Sequence, residues 1–524
     1  MEDYKKEPGG IIKLQERNFK SINDDYVRFI RFAQTFIENA GKGILAYICH
    51  HGFITNPTFR GMRWSLLTSF DSVYLLDLHG NAIKGETTPS GEKDENVFDI
   101  KQGVSICIFI KMRPHSNELA KVFHSDLYGT RECKYDKLNQ YKLSEISFEE
   151  VKTEKELFLF RNYRSDNKQK YSSFMSLTDL FDINGVGITT AHDDFVISSD
   201  KKTLIQRFET FRKTPQGENL YKIFNVNEKK GWDIRAGWKN LQDDIPTETY
   251  IENITYRPFD TRYIFYEDKL VWRTVRNVMK NFIRHKNIAL ILIRINRDDL
   301  CTVLITDGIT DKTVLSSKDN ANIFPLFLYD TEFGKETKQP NLKMDIVHLI
   351  EEKLGLPFAT ESKDKSVFTP IDLLDYIYAV LHSPTYREKY KEFLKIDFPR
   401  VPYPADQETF WKLVEIGGKL RECHLMQIEL DTAPYGFIGD GTDEVVKPEY
   451  KNGRVYISKM QYFDNVPQAQ WEQYIGGYQP LQKWLKDRKK TMLSAEDIEH
   501  YKKIIAALRL TEELMAEIDQ VVEF

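Results

Sequence analysis

The fold class follows from residues 43–79, GILAYICHHGFITNPTFRGMRWSLLTSFDSVYLLDLH. The apolar runs at 43–50 and 72–79 predict two buried strands, and the residues between them, at about 59–70, predict a helix. A third apolar run, GVSICIFIK at 103–111, predicts another strand after a polar loop. This order is typical of an α/β sheet, and unbroken apolar strands indicate a sheet that is covered on both faces.

A helix is expected just before these strands, because apolar side chains recur at helical spacing over residues 24–39. Asn23 or Asp24 is placed to cap its start, and Gly41 to end it. A doubly wound domain normally has more than three strands. We therefore expect residues 1–120 to form only part of a Rossmann-like sheet.

The pattern changes twice in the rest of the chain. Residues 121–370 predict a mixed α+β domain, and residues 371–524 predict a helical region, in which one helix is expected to end near Gly417 and Gly418. Charged helical stretches are predicted at about 200–213 and 272–285. Strand-like runs lie at 157–160, 194–197, 288–293, 302–305 and 324–329, and the later helices are predicted at 373–383, 385–395, 406–419 and from the capping box of Ser494 and Asp497 onward.

Composition excludes several classes of protein. With 41% hydrophobic and 29% charged residues the chain is not expected to be disordered, and a net charge of -5 restricts any nucleic-acid site to a local basic patch. No apolar run is long enough to span a membrane, and no signal region begins the chain. Scattered cysteines without a CxxC pair favour a cytoplasmic protein without a disulfide framework; they are Cys49, Cys107, Cys133, Cys301 and Cys423.

Motifs that hold nucleotides or metals are missing from the sequence. It has no GxGxxG or GxxxxGK[ST] loop for a nucleotide or S-adenosylmethionine, and no HExxH or paired CxxC for zinc. We interpret Cys49, His50 and His51 as ordinary packing at a strand end, and we predict no metal site.

One tetrapeptide is close to a catalytic motif. Amino-methyltransferases use Asn-Pro-Pro-aromatic, whose Asn and neighbouring carbonyl bind the adenine amino group while the aromatic ring stacks on the flipped base. This chain has Asn56-Pro57-Thr58-Phe59, which lacks the second proline and does not follow an apolar strand directly. We interpret it as a loop that begins a helix, with a catalytic role for Asn56, Pro57 and Phe59 as the alternative.

Residues 43–111 resemble the second half of gamma-type adenine-specific DNA methyltransferase domains in restriction–modification enzymes of type ISP and type IIG. The resemblance continues into the carboxy-terminal specificity region of those enzymes, from about residue 20 to the end of the chain. The matching segments there are YRPFDTRYIFY (256–266), NIFPLFLYD (322–330), DYIYAVLHSPTYREKYKEFLKIDFPRVPYP (375–404) and YIGGYQPLQKWLKDRK (474–489).

The resemblance implies a function for each region. Residues 1–120 would belong to an S-adenosylmethionine-dependent adenine-N6 methyltransferase, 121–370 to a target-recognition domain and 371–524 to the helical part of the specificity region. Asp25 and Tyr26 would line the cofactor side; alternatively, Asp25 only charges a helix start. In relatives the catalytic tetrapeptide lies upstream of the matching region, so we expect this chain to need an upstream methyltransferase or nuclease–helicase polypeptide for methyl transfer.

Residues 256–286 are the best candidate for contact with double-stranded DNA. They hold eight cationic residues against three acidic ones, with aromatic residues between them. Arg273, Arg276, Lys280 and Arg284 recur at spacings that would form one basic stripe on a helix, able to follow phosphates or read guanine. The alternative is a solvated helix face. The other cations of the segment are Arg257, Arg262, Lys269 and Lys286.

Other interpretations remain open at this stage. Residues 483–490, KWLKDRKK, fit a solvated helix end better than a DNA contact, and residues 475–478 predict a turn packed on that helix. The whole chain is alternatively a stand-alone DNA-binding specificity subunit without catalytic duty. A fragment that folds poorly and aggregates through sheet edges is the third possibility.

Overall fold

The structure is a computed structural model. It describes the chain except for residues 15–18, 83–85, 113–117, 154–156, 163–164, 216, 242–244, 295–301, 333–334, 363 and 396. Cys301 therefore lies outside the described residues. The chain forms two compact units, unit 1 (Met1–Lys168) and unit 2 (Gln169–Phe524).

Unit 1 is built on a five-stranded sheet of order β1-β3-β2-β4-β5. Strand β3 is antiparallel to both β1 and β2, so β1 and β2 run in the same direction and α2 connects them. Strand β4 is parallel to β2, and β5 is antiparallel to β4. The elements are α1 (Asp25–Ala40), β1 (Gly43–His50), α2 (Arg60–Ser69), β2 (Ser72–Asp77), β3 (Val104–Lys111), β4 (Lys121–Asp126), α3 (Arg131–Gln140) and β5 (Glu149–Val151), with 3-10 helices at Glu2–Lys5, His51–Ile54, Pro57–Phe59 and Leu143–Glu145.

The predicted elements at 24–111 are confirmed, but the sheet is larger than the sequence indicated. Helix α1 begins after Asp24 and ends at Gly41, whose φ of 73° is the left-handed conformation that glycine adopts most easily. The sequence pattern gave three strands and a boundary at residue 120, whereas β4 and β5 extend the sheet beyond it. Both are short strands rich in polar residues, so neither stands out as an apolar run.

One face of the unit 1 sheet carries its core. Leu45, Tyr47 and Cys49 of β1 lie in or against the cluster that α1 and α2 build on that face. On the alternate positions, Ile44 is 66% exposed and Ile48 is 49% exposed. The expectation that the strands are covered on both faces is therefore wrong for β1.

Between residues 169 and 340, unit 2 contains two four-stranded sheets, β13-β9-β10-β8 and β12-β11-β14-β7. Strand β11, ALILI, is buried throughout, because Leu290 and Leu292 face one core while Ile291 and Ile293 face another. The unbroken apolar run thus reflects burial on both faces. The strands up to residue 340 are β6 (Met175–Ser176), β7 (Gly185–Val186), β8 (Ile197–Ser198), β9 (Ile251–Arg257), β10 (Asp260–Phe265), β11 (Ala289–Ile293), β12 (Val303–Thr306), β13 (Ile309–Thr310), β14 (Ala321–Pro325), β15 (Phe327–Glu332) and β16 (Lys335–Pro340).

Helices α12 and α14 pack closely in the first of these cores. A Cβ atom on Gly417 would lie 1.9 Å from the carbonyl oxygen of Asp375, so only glycine permits this approach. The prediction that this helix ends near Gly417 is wrong, since α14 continues to His424. The helices of unit 2 are α5 (Leu177–Leu180), α6 (Asp193–Val196), α7 (Lys201–Lys213), α8 (Leu220–Ile223), α9 (Ile234–Asn240), α10 (Arg276–Met279), α11 (Met344–Leu354), α12 (Pro370–His382), α13 (Pro384–Leu394), α14 (Gln407–His424), α15 (Gln468–Glu472), α16 (Pro480–Lys486) and α17 (Ala495–Val521), with α4 (Ser165–Ser172) at the boundary between the units and a 3-10 helix at Thr247–Tyr250.

The region after residue 370 was expected to be helical, but it also contains strands. A four-stranded antiparallel sheet of order β18-β21-β20-β19 packs with α16 and α17 around a third core. Its strands contain two or three residues each, too few for a periodic signal. They are β18 (Phe437–Ile438), β19 (Glu449–Lys451), β20 (Arg454–Tyr456) and β21 (Tyr462–Phe463), and β17 (Arg400–Val401) pairs with β6.

Four other local predictions differ from the structure. The described part of 157–160 contains no strand, and 194–197 is mostly helix α6, which ends where β8 begins. The run at 324–329 is divided between β14 and β15. The helix predicted at 272–285 is only the four residues of α10, because Val275 before it adopts a φ of 48° and Arg284 after it a φ of 60°.

Candidate functional site

The basic segment 256–286 divides into inward-facing and outward-facing cations. Arg257 and Arg262 face inward from β9 and β10. The Arg257 guanidinium lies 3.0 Å from the Asp311 carboxylate, and that of Arg262 lies 2.7 Å from Asp260. Arg257 is 9% exposed, and only 17% of the Arg262 side chain is exposed. These two arginines therefore act within the protein fold, which sequence spacing did not reveal.

The inward arginines join two motifs that are distant in sequence. Arg488 reaches Asp260 at 3.0 Å, so this carboxylate, 2% exposed, is held by two guanidinium groups. Burial would raise the pKa of Asp260, but the charges of Arg488 and Arg262 outweigh burial and lower it. Arg488 also stacks on Trp484 at 3.6 Å. Segment 483–490 is thus partly a structural clamp on β10.

The turn at 475–478 packs on a second element in addition to the helix that was expected. Gly476 has a φ of 61°, and a Cβ atom there would lie 2.1 Å from the Leu315 carbonyl oxygen. Gly477 donates its backbone N–H to that oxygen, and the Tyr478 hydroxyl donates to the carbonyl of Thr313. The two glycines therefore let the turn close on residues 313–315, and not only on the following helix.

The outward cations do not form one helical stripe. Arg276 pairs with Asp268 at 2.7 Å, and Lys280 pairs with Asp330. The backbone of Arg273 bonds to Thr189 instead of entering a helix. Within segment 256–286, the exposed side chains that form no ion pair with a carboxylate among the described residues are Lys269, Arg273, Arg284 and Lys286. We call these four side chains the open cations.

A tryptophan and a second loop lie beside Arg273. The Arg273 guanidinium is 5.7 Å from the Trp272 ring, and the indole nitrogen of Trp272 approaches the backbone at Gly231. The preceding residue, Lys230, is exposed. Sequence reasoning missed Lys230, although the run EKKGW at 228–232 combines cations with an aromatic residue in the same way.

The methyltransferase-like residues of unit 1 have ordinary local roles. The Asn56 side chain accepts a hydrogen bond from the backbone N–H of Thr58 at 2.9 Å and so caps the 3-10 helix that leads into α2. Pro57 and Phe59 are buried. Asp25 opens α1 and pairs with Arg28 at 3.1 Å, with most of its side chain exposed. The Tyr26 ring lies 5.9 Å from the His50 ring, and burial raises the pKa of its hydroxyl.

A polar cluster lies where β1, β2 and β4 end, and the sequence analysis did not identify it. Asp77 and Asp126 are register partners at the ends of the parallel strands β2 and β4. His51 Nδ1 lies 2.9 Å from Asp77 Oδ1. His79 Nδ1 lies 2.7 Å from Glu86, and its Nε2 lies 2.7 Å from Asp126 Oδ1. The available signal was a polar residue at the end of each apolar strand.

Charge is strongly coupled within this cluster. Burial would lower the pKa of His79, but hydrogen bonds to Asp126 and Glu86 outweigh burial and raise it to about 9. His79 is therefore an imidazolium at neutral pH. Its ring stacks on Tyr128 at 3.9 Å. Burial lowers the pKa of His124, which stays neutral.

A family model described as the Type ISP C-terminal specificity domain matches residues 179–517. The chain belongs to this family. The Type ISP resemblance seen in the sequence is thereby confirmed. The matched residues contain the open cations and the Asp260 clamp, whereas the polar cluster of unit 1 lies outside them.

Three solved structures with a similar fold are two Type ISP enzymes and the protein DrdV. The chain is similar to the ATP-dependent Type ISP restriction-modification enzyme LlaBIII bound to DNA (TM-score 0.64, 18% identity, 97% of this chain and 34% of that one). It is also similar to a nuclease-deletion mutant of the Type ISP enzyme LlaGI with a DNA substrate mimic (TM-score 0.63, 18% identity, 97% of this chain and 49% of that one). A third similar structure is the DrdV–DNA complex (TM-score 0.64, 20% identity, 97% of this chain and 53% of that one).

These likenesses establish the fold, and the chain spans only between 34% and 53% of the length of these three proteins. No curated protein matches the sequence. Among the described residues, none of the helices is long and apolar enough to cross a membrane.

Proposed function

We propose that this Type ISP specificity chain binds double-stranded DNA and that unit 2 reads the sequence. The carrying observation is the set of open cations, which are exposed in a protein of net charge -5 and of which Arg273 lies beside Trp272. Cations that already have a carboxylate partner gain little from a phosphate, whereas open cations release counterions when they bind one. The DNA present with the three structural relatives supports the same function.

The test is fluorescence anisotropy with a labelled duplex that has a randomised central sequence, titrated at several salt concentrations. Arg273→Ala and Lys286→Ala should each reduce the slope of log affinity against log salt by about one if the side chain contacts a phosphate. Arg509→Ala is the matched control, because Arg509 is an exposed arginine of unit 2 paired with Glu513. Equal affinity and equal slope in all four proteins would refute the proposal.

The same variants separate base reading from phosphate contact. Selection of bound duplexes from the randomised pool gives the preferred sequence of each protein. An arginine that contacts guanine in the major groove contributes about 1–3 kcal/mol of discrimination at that base. Arg273→Ala should then relax the preference at one position, whereas loss of a phosphate contact weakens all sequences equally.

We further propose that unit 1 is part of an S-adenosylmethionine-dependent adenine-N6 methyltransferase of a restriction–modification system. Its parallel β1-α2-β2 unit supports a Rossmann-like arrangement. By family resemblance, Asp25 and Tyr26 would lie toward the methyl donor. Unit 1 carries no GxGxxG or FxGxG donor loop, and Asn56 is engaged in capping. We therefore propose that methyl transfer requires a second polypeptide segment carrying the donor loop and the Asn-Pro-Pro-aromatic motif.

The apolar surface of unit 1 supports the need for that segment. Phe32 and Phe36 of α1 are each 70% exposed, and Phe29 is 59% exposed on the same helix face. Strand β1 is an edge of the described sheet and presents exposed isoleucines. Large exposed apolar side chains mark interaction surfaces, and an edge strand accepts another strand by backbone hydrogen bonds.

The test is transfer of labelled methyl from S-adenosylmethionine to DNA. The chain alone should show no transfer, and a polypeptide with the two missing motifs should restore it. Replacing both Phe32 and Phe36 by Ser should weaken restoration while DNA binding is unchanged. Robust transfer by the chain alone would refute the need for a second segment. DNA binding without restoration by such polypeptides would favour a stand-alone specificity subunit.

A further inference from the structure

Two carboxylates and one imidazole converge on the same face of the unit 1 sheet. Asp77 and Asp126 are directly opposite each other in the register of β2 and β4. His124 lies two residues before Asp126 on β4, so its side chain projects from the same face. One ligand atom from each of these three side chains lies within 4.8 Å of the others.

Hydrogen bonds and ion pairs from the surrounding groups hold both carboxylates in place. Asp77 Oδ1 lies 2.9 Å from His51 Nδ1 and accepts a hydrogen bond from the backbone N–H of His79 at 3.0 Å. Asp126 Oδ2 lies 3.4 Å from the Arg161 guanidinium, while Oδ1 accepts from His79. Carboxylates that bind metals are typically held in place by such outer hydrogen bonds.

His124 provides a separate sign that a ligand belongs here. Its side chain is only 7% exposed, and its buried Nε2 atom has no hydrogen-bond partner among the residues that the structure describes. This nitrogen lies 3.9 Å from Asp126 Oδ1. Buried polar atoms without partners are rare, and a metal ion bound by Nε2 and the Asp126 carboxylate would satisfy this one.

We propose that Asp77, His124 and Asp126 bind a divalent first-row transition metal ion. Zn²⁺ bonds to nitrogen and oxygen ligands are about 2.0–2.2 Å long, so tetrahedral ligand atoms lie about 3.4 Å apart. The His124–Asp126 separation approaches that value. The mixed nitrogen and oxygen set suits zinc, manganese or iron better than calcium or magnesium. His79 and His51 orient the two carboxylates, and solvent completes the coordination.

The test uses the full chain dialysed against low-micromolar Zn²⁺ and then analysed for metal content, with a parallel Co²⁺ titration followed by visible absorption. The wild-type chain should retain one equivalent of zinc and give Co²⁺ ligand-field bands. His124→Phe keeps an aromatic ring but removes the nitrogen, and Asp126→Asn keeps the shape but removes the charge. Both variants should bind the metal at least tenfold more weakly.

His348→Asn is the control, since His348 is an exposed histidine of unit 2 that pairs with Glu351. Circular dichroism of the metal-free proteins separates lost binding from lost folding, and the milder Asp126→Asn change decides if His124→Phe does not fold. No retained zinc in the wild-type chain, or equal retention in the ligand variants, would overturn the site. The result is independent of DNA binding, because the open cations lie in unit 2.

Discussion

The clamp around Asp260 gives the sharpest stability prediction. In Arg488→Ala, the buried Asp260 carboxylate loses one of two guanidinium partners, at 3.0 Å, and Trp484 loses the stacked group at 3.6 Å. Removing one member of a buried pair costs about 3–5 kcal/mol, and the remaining Arg262 keeps the effect at about 3 kcal/mol. For a unit of this size, that loss lowers the melting temperature by about 4 °C.

The assay is thermal and urea unfolding followed by circular dichroism, with Arg509→Ala as a matched surface control. The exposed Arg509–Glu513 pair should leave the midpoint unchanged, because solvent screens it. DNA affinity of Arg488→Ala, measured well below its midpoint, should equal that of wild type. A normal midpoint together with weakened DNA binding would reverse our assignment, since Arg488 would then be a DNA contact and not a clamp.

Three further outcomes follow from single contacts. Gly417→Ala should destabilise unit 2 by about 2 kcal/mol in urea unfolding, because the added Cβ would overlap the carbonyl oxygen of Asp375. Gly418→Ala is the control and should not destabilise the unit, because its Cβ would lie no closer than 3.2 Å to a side-chain oxygen. Equal unfolding midpoints for the two variants would contradict the close packing. Burial lowers the pKa of His424 to about 3, so below pH 6.5 the unfolded chain binds a proton at this residue while the folded chain does not. The free energy of unfolding should therefore fall by about 2 kcal/mol between pH 6.5 and 5.0 because of this group. His424→Gln should reduce the pH dependence of the unfolding free energy by that amount. Lys134→Met should destabilise unit 1 by about 3 kcal/mol, because it leaves the buried carboxylate of Asp94 without its ion-pair partner; both side chains are fully buried. A normal unfolding midpoint would contradict this prediction.

Elements with a strong local signal were predicted well. Helix α17 begins at the capping box of Ser494 and Asp497, and both its hydrogen bonds form. Strand β11 carries a run of five apolar residues, and α1 ends at the predicted glycine, Gly41. The missed strands, such as β18 and β21, are two residues long and are held by neighbours that no local window contains.

The candidate sites were only partly predictable. Spacing identified segment 256–286 as basic, yet the helix that it predicted at 272–285 is only the four residues of α10 in the structure. Side chains alternate between the two faces of a strand, so Arg257 on β9 faces Asp311 and Arg262 on β10 faces Asp260. Without the positions of those acids, the inward and outward cations of the segment look alike.

By itself, the sequence determined the order of strands and helices that carry periodic apolar residues, the family of the specificity region and the basic character of one segment. Only the tertiary structure decided which charges are neutralised and which polar groups meet. Asp77 and His124 are separated by 47 residues in the chain and share one face of a sheet because β2 and β4 pair in parallel. Such convergence depends on strand pairing between distant segments, and local propensity does not encode it.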